Sequence, residues 1–408
     1  MRFIWKDYDP LSMPFIEKWL DENAVRMTGM GGGWRAFHEY WITEGGMTPG
    51  VDYWCKVVYE GEKPVAIIAF SLYEGTYTVM ELLVKPELRG HGIGTSLLRE
   101  LISRGNLIFG NRIKKAAAVI FPTNTASQKA FEKAGFVFER VHEDGDAWYY
   151  SVDLLDKSIK IMTACIADIM GDNYPSIYLC GSVVLGDFKL GWSDIDILVL
   201  TQKEIAEDQA KRLVGLRQEL LKSEPDNPYY RSFEGGMLTL DAFINKTPDC
   251  VVYWGTSGQR ITDNYYFDSF SSKILLENGR LLYGEDVRER LTAPSYEDLK
   301  KDVARHLDTI RNNAHLSGQS LYSFGWMLDI SRCIYTLRAG KIIAKTSAGE
   351  WALKEQLCPV PDKLEYALRV RRAPWSYKDN EKVLEYAGTI NGDIQQYADV
   401  LERELNQK

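Results

Sequence analysis

Asp194 and Asp196 stand one residue apart in the apolar run SDIDILVL, residues 193–200. On a strand, residues i and i+2 face the same side, so the two carboxylates lie together while Ile195, Ile197 and Val199 point away. Adjacent carboxylates repel unless a proton or a cation sits between them, and a hard divalent ion answers that need. Asp194 and Asp196 are therefore expected to be metal ligands, with Mg²⁺ as the ion. Upstream, Gly181 and Ser182 follow the apolar IYLC, and Ser193 immediately precedes the acids. A Gly-Ser turn offers backbone amides and a hydroxyl to a triphosphate that metals bridge, so Gly181, Ser182 and Ser193 are candidate nucleotide contacts. Nucleotidyl transfer wants a third carboxylate. Asp241, the lone acid of the apolar stretch MLTLDAFI (237–244), is the candidate, because an acid buried in such a run costs several kcal/mol without a partner. Its expected part is third metal ligand or base for the attacking hydroxyl, the alternative being a solvated strand-end residue.

A second constellation lies in VKPELRGHGIGTSLLREL, residues 84–101, where a strand end at Val84 is followed by Arg89, Gly90, His91, Gly92, Ile93, Gly94 and Thr95 and then by a helical pattern. Glycines at such a turn let backbone N–H groups approach an anion, and the helix N-terminus adds its dipole, which suits a pyrophosphate. About 30 residues on, PTNTASQKAFEKAGF places Asn124 at a strand exit and closes a helix with Gly135.

These residues need elements to hold them. Up to residue 155 strands and helices alternate: SMPFIEKWLDENAV reads as an amphipathic helix, YWCKVVYE and KPVAIIAFSLY as a hairpin turned at Gly61, and TVMELLV as a third strand. TSLLRELISRG predicts a helix ending at Gly105, KAAAVIF a strand, TASQKAFEKAG a helix and AWYYSVDL a final strand. Residues 156–272 predict a helix, the strands SIYLCGS and SDIDILVL, a helix at EIAEDQAKRLVGLRQELLK and a strand at MLTLDAFI. From about residue 273 strand patterns give way to long helical periods, a helical bundle. Three domains are expected, 1–155, 156–272 and 273–408, in an α+β multidomain chain. In MTGMGGGWRAFHEYW (27–41), glycines beside Trp34, His38, Tyr40 and Trp41 suit a flap over a ligand or a surface loop packed on a helix.

Composition sets the outer limits. A chain of 408 residues exceeds one ordinary core. The formal net charge of −8 argues against a nucleic-acid surface and is compatible with a cationic partner. Six cysteines with no CxxC spacing suggest neither a disulfide framework nor a zinc site. No apolar run is long enough to cross a bilayer, and the opening MRFIWKDYDP lacks a secretory pattern, so a cytoplasmic protein without a membrane partner is expected. The oligomeric state is left open.

Together, V-x-P-x-x-R-G-x-G-I-G and N-x-A-x4-aromatic-x-K-x-G-F resemble the GNAT acetyltransferases over essentially all of residues 1–155. The resemblance implies a mixed sheet with flanking helices, and acetyl-CoA with its pyrophosphate on the amides of residues 89–95, its arm beside TVMELLV and Asn124 nearby. Many members carry a tyrosine as general acid where this chain has Phe131, so Tyr73, Tyr77, Tyr149 or a water takes that part, or transfer is slow or lost. Glu81, the single charged residue of TVMELLV, is the candidate base for an acceptor amine, or else a solvated strand carboxylate.

The pattern G-S-x8-G-W-S-D-I-D-I-L-V resembles the nucleotidyltransferases of the DNA polymerase beta superfamily, which implies ATP and two Mg²⁺ ions at the acid pair. ENGRLLYGED and IYTLRAGKIIAKTSAGEWAL resemble the C-terminal helical domain of the streptomycin and spectinomycin adenylyltransferases, which implies that Lys345 reaches the phosphates and that the helix of Arg332 and Tyr335 underlies the substrate cleft. Residues 312–327 share no clear signature with that family. The resulting expectation is a bifunctional enzyme that acetylates an amine and transfers AMP to a hydroxyl of an aminoglycoside-type antibiotic. The alternative is an adenylylating modifier of a protein or RNA, with the GNAT part as an acetyl-CoA sensor.

Overall fold

A computed structural model describes residues 3–28, 30–44, 46, 49–73, 75–109, 115–141, 145–225, 227–248, 250–255, 258–372, 374 and 377–407. The chain divides into two compact units, Met1–Ile159 and Lys160–Lys408.

The first unit runs β1 (Ile4–Asp7), α1 (Glu22–Thr28), α2 (Gly33–His38), β2 (Asp52–Glu60), β3 (Lys63–Tyr73), β4 (Thr76–Val84), α3 (Ile93–Phe109), β5 (Lys115–Ile120), α4 (Thr125–Ala134), β6 (Val137–Val141) and β7 (Trp148–Asp153). Among the described residues these strands form one sheet in the order β1-β2-β3-β4-β5-β7-β6. All neighbours are antiparallel except β4 and β5. β3 is apolar without alternation, and Val65 to Phe70 are all buried, as befits a central strand covered on both faces. Gly61, with φ of 62°, turns the hairpin as the sequence predicts. Ile16, Trp19, Trp34, Val57, Ile67 and Leu83 pack into one core against this sheet. α3 continues through Gly105 to Phe109 instead of stopping there. A mid-helix glycine costs only about 1 kcal/mol, which neighbouring turns outweigh.

After α5 (Leu154–Met170), the second unit runs β8 (Ser176–Leu179), α6 (Gly181–Val184), β9 (Ile195–Thr201), α7 (Glu207–Ser223), β10 (Phe233–Thr239), α8 (Leu240–Asn245), β11 (Val251–Gly255), β12 (Gly258–Thr262), α9 (Ser269–Asn278) and β13 (Arg280–Tyr283). The helices α10 (Tyr296–Asn313), α11 (Tyr322–Ala339), α12 (Lys345–Lys354), α13 (Pro361–Arg372), α14 (Glu381–Thr389) and α15 (Asn391–Asn406) follow. Its sheet has the order β12-β11-β10-β9-β8-β13, with β9 and β10 parallel. α11 is buried along most of its length, and Phe324, Met327, Ile330 and Ile334 centre the helical core with Leu364, Val370, Ile394 and Tyr397.

Two expectations fail here. MLTLDAFI is not a single strand: β10 ends at Thr239, whose hydroxyl accepts the Ala242 amide 3.2 Å away and caps α8. Nor do strands cease near residue 273, since β13 pairs with β8 and completes the sheet edge. The architecture is α+β, with two mixed sheets, flanking helices and a C-terminal helical region.

Candidate functional sites

In the second unit, β9 carries Asp196 at its second position, with Asp194 one residue before the strand begins. The parallel neighbour β10 places Glu234 directly beside Asp196 in register. Asp194, Asp196 and Glu234 line one cavity of 380 Å³ together with Gly181, Ser182, Ser193, Arg332 and Lys345. The carboxylates press on one another. Burial, with Glu234 and Asp196 adding to it, pushes the Asp194 carboxyl up to about 7. Burial and Glu234 push Asp196 up to about 6, opposed by Lys345 and by the Ser182 amide. Glu234 also accepts the Tyr253 hydroxyl at 3.3 Å.

The local backbone is built for closeness. Gly181 has φ of 64°, and a Cβ there would fall 1.8 Å from Asp196 Oδ2. Gly235 approaches β9 so tightly that its Cβ would fall 1.8 Å from the Ile197 carbonyl oxygen. The Ser182 hydroxyl donates to the Asp194 carbonyl at 3.4 Å, and the Ser193 hydroxyl accepts the Lys189 amide at 3.0 Å, so both serines brace the turn.

Asp241 has no part in this cavity. It sits in the first turn of α8 with its side chain 84% exposed, 3.7 Å from Arg290. The strand that would have brought it to the acids has already ended at Thr239. The third carboxylate is Glu234, which sequence reasoning missed; the signal was FEGG, an acid followed by two glycines that let β10 close on β9.

Lining the same cavity, Lys345 opens α12 and Arg332 lies on α11. Arg332 Nε is buried without a hydrogen-bond partner among the described residues, a donor left for a ligand. Asp187 is buried and accepts from Arg371 Nη2 at 2.9 Å, the Thr346 hydroxyl at 2.7 Å and the Thr346 amide at 3.2 Å. It thereby pins the loop after α6 to α12 and α13. Among the described residues no group of three or more His, Cys, Asp and Glu side chains is placed so that it could hold a metal ion.

In the first unit, the β4–β5 pairing runs from Thr76–Lys115 to Val79–Ala118 and goes no further. Beside that parting, Ala69 opposes Glu81 and Phe70 opposes Val79, so Met80 is the extra residue of a bulge. Glu81 lies in a cleft of 510 Å³ with Met30, Phe37, Trp41, Thr78, Met80 and Val119 on its walls. Burial pushes its carboxyl up to about 8.

Gly90 and Gly92 take φ of 79° and 81° in the turn before α3, which leaves the Ile93, Gly94 and Thr95 amides at a helix N-terminus. His91 Nδ1 lies 2.9 Å from the Arg89 carbonyl. Arg89 departs from expectation. Its amide donates to the Pro86 carbonyl, and its guanidinium bonds the Val84 carbonyl at 3.0 Å, the Trp19 carbonyl at 2.8 Å and Asp21, so it ties the turn down instead of facing a ligand. Asn124 likewise caps α4, its side-chain oxygen accepting the Ser127 amide at 3.1 Å. Phe131 is core, packed edge-on to Phe136. Neither Tyr73, Tyr77 nor Tyr149 lines the Glu81 cleft. Of the glycine-loop aromatics, Trp34 is buried in the core and Trp41 borders the cleft.

Residues 13–136 match the acetyltransferase (GNAT) family, and residues 166–231 match the nucleotidyltransferase domain. Solved structures with similarity include the aminoglycoside acetyltransferase AAC(6')-Ib in complex with coenzyme A, at 17% identity over 39% of this chain and 99% of that one, with a TM-score of 0.32. The aminoglycoside N(6')acetyltransferase from Legionella pneumophila matches at 16% identity over 39% of this chain and 96% of its own, with a TM-score of 0.32. The Campylobacter jejuni N-acetyltransferase PseH matches at 16% over 37% and 97%, with a TM-score of 0.28. No curated protein matches the chain. Among the described residues no helix is long and apolar enough to cross a membrane. A segment similar to the GNAT acetyltransferases is thus followed along the chain by one similar to the nucleotidyltransferase domain.

Proposed function

We propose that the protein is a bifunctional transferase, moving acetyl from acetyl-CoA to an amine and AMP from MgATP to a hydroxyl of an aminoglycoside-type antibiotic. The observation that carries the second activity is one cavity lined together by Asp194, Asp196, Glu234, Arg332 and Lys345. The donor set fits a hard cation: three carboxylates supply oxygen ligands, and the carboxyls of Asp194 and Asp196 are raised. Asp194 and Asp196 would hold Mg²⁺, the pair of ions expected from the sequence included, with Glu234 in reach as third ligand or base. Bound there, the metal would draw charge from the triphosphate. Gly181, Ser182 and Ser193 also line the cavity, and Arg332 and Lys345 would meet phosphate oxygens as charged donors. A second recess of 230 Å³ shares Trp192, Ser193, Asp194 and Tyr322 with the cavity, and this is where the acceptor hydroxyl would approach. Acids outnumber cations along the cavity wall, which favours a cationic acceptor.

For acetyl transfer, the amides at 90–95 would take the pyrophosphate, and Glu81 would accept the proton of the amine. The carboxyl at about 8 is mostly protonated at neutral pH, so the base form grows, and transfer accelerates, as pH rises toward 8 and then levels. Glu81→Gln is expected to lower transfer by about 10²–10⁴-fold and erase that rise, in a thiol-release assay across pH 6–9. A second reading, a first unit that binds acetyl-CoA without transferring it, is favoured by the burial of Phe131 where many relatives keep an acid. Wild type and Glu81→Gln equally inactive on every amine tried would select it.

The deciding experiment is mass spectrometry of an aminoglycoside panel incubated with the protein, MgATP and acetyl-CoA, separately and together. A gain of an AMP or acetyl mass identifies the acceptor and the unit responsible. No gain on any compound overturns the antibiotic reading and turns the search to adenylylated macromolecules in lysate.

A further inference from the structure

Behind the two cations of the nucleotide cavity stands a third charged group that does not itself line it. Asp329 lies on α11, one turn before Arg332, so both side chains project from the same helix face. Lys345 Nζ is 2.8 Å from Asp329 Oδ1 and 3.1 Å from Oδ2, and Arg332 Nη2 is 3.3 Å from Oδ1. The three side chains are largely buried, Asp329 at 16% exposure, Arg332 at 17% and Lys345 at 28%.

Two cations held together away from water repel, and each loses hydration. Burial pulls the Lys345 ammonium below the usual lysine range, Arg332 and Arg371 pull it further, and Asp329 opposes them. Burial alone would raise the Asp329 carboxyl, yet Lys345 and Arg332 hold it below the usual aspartate range. Asp329 is thus the carboxylate that both cations share, and it does not line the cavity that they border.

We propose that Asp329 is a positioning residue for nucleotide binding, holding Lys345 aimed, beside Arg332, at the polyphosphate of the incoming MgATP. This rests on the nucleotidyltransferase reading of the same cavity. Asp329 touches no substrate; it acts through Lys345. Arg332 remains anchored by the same carboxylate, leaving its unpartnered Nε free for a phosphate oxygen.

The test is calorimetric titration of MgATP into the full chain and its variants, with a melting curve for each. Asp329→Asn is expected to weaken MgATP binding about tenfold, the scale of one charged hydrogen bond. Lys345→Met is expected to weaken it by at least as much. The loss in the double variant should fall short of the two single losses combined, because in Lys345→Met the aspartate has only Arg332 left to hold. Asp329→Glu, which keeps the charge, should recover most of the loss, an outcome that a purely structural part would not give. Wild-type affinity in Asp329→Asn, or a loss that adds in full to that of Lys345→Met, overturns the inference. Where Asp329→Asn does not fold, the double variant is compared with Lys345→Met directly, and a further loss of about tenfold or more overturns the inference. A wild type that binds no MgATP at all overturns the nucleotidyltransferase reading instead, so the two failures are separate.

Discussion

Alanine at Asp194 or at Asp196 is expected to lower AMP transfer by at least about a thousandfold while leaving acetyl transfer at its wild-type rate. The first part follows from the cavity. Both carboxyls are pushed far above the usual aspartate range by burial and by the acids beside them, so the site holds anionic charge that only protons or a cation relieve. On the proposed reading, removing either acid would leave one carboxylate fewer to hold the metal, and the triphosphate would lose the charge withdrawal that the reaction needs. The second part follows from the proposed division of labour, in which acetyl-CoA is handled by Glu81 and the 90–95 turn. Pyrophosphate release from MgATP and thiol release from acetyl-CoA, measured on one preparation, check both. Asp241→Ala serves as the control and should retain full AMP transfer, since Asp241 is exposed and outside the cavity. AMP transfer that survives in Asp194→Ala or Asp196→Ala would sink the metal assignment.

The second large effect is on folding. Asp187 and Arg371 form an ion pair with side chains only 7% and 2% exposed, and Thr346 supplies two further hydrogen bonds to the carboxylate. Asp187→Ala strands a buried guanidinium and is expected to cost about 3–5 kcal/mol in urea unfolding. Asp187→Leu combined with Arg371→Met buries neither charge and should cost much less. The pH dependence has a definite sign. Burial raises the Asp187 carboxyl, but Arg371 and Thr346 hold it, on balance, below the usual aspartate range. The stability it contributes is therefore present above that range and is lost as pH falls through the lowered value. Asp187→Ala as stable as wild type at neutral pH would show that the pair contributes nothing.

What the sequence discloses and what it conceals divides along range. Asp194 and Asp196 are legible because their spacing needs only the two-residue period of a strand, and the 89–95 turn because glycines, strand end and helix lie within a dozen residues. The β4 strand, the Gly61 hairpin and the helix closed by Gly135 are local in the same sense. Glu234 is not legible that way, since it reaches the acid pair only through the parallel register of β10 on β9, 38 residues along the chain from Asp196. Asp241 misleads because apolar content outweighed a capping signal: Thr239 with an acid two residues later opens a helix. Arg89 and Asn124 carry motif identity, yet their side chains serve the backbone, a distinction that only contacts reveal. Asp187 meets Arg371 across 184 residues, and no local pattern announces that.

The glycines flanking the acids bear on how loss of function in this enzyme is to be interpreted. A side chain at Gly181 would collide with the Asp196 carboxylate, and one at Gly235 with the Ile197 carbonyl. In a saturation scan scored by activity, both positions would rank beside the carboxylates themselves, although neither supplies a reacting group. Volume and charge would leave the same scar in such a map, and only variants that keep the volume while changing the charge, such as Asp196→Asn or Glu234→Gln, tell chemistry from crowding.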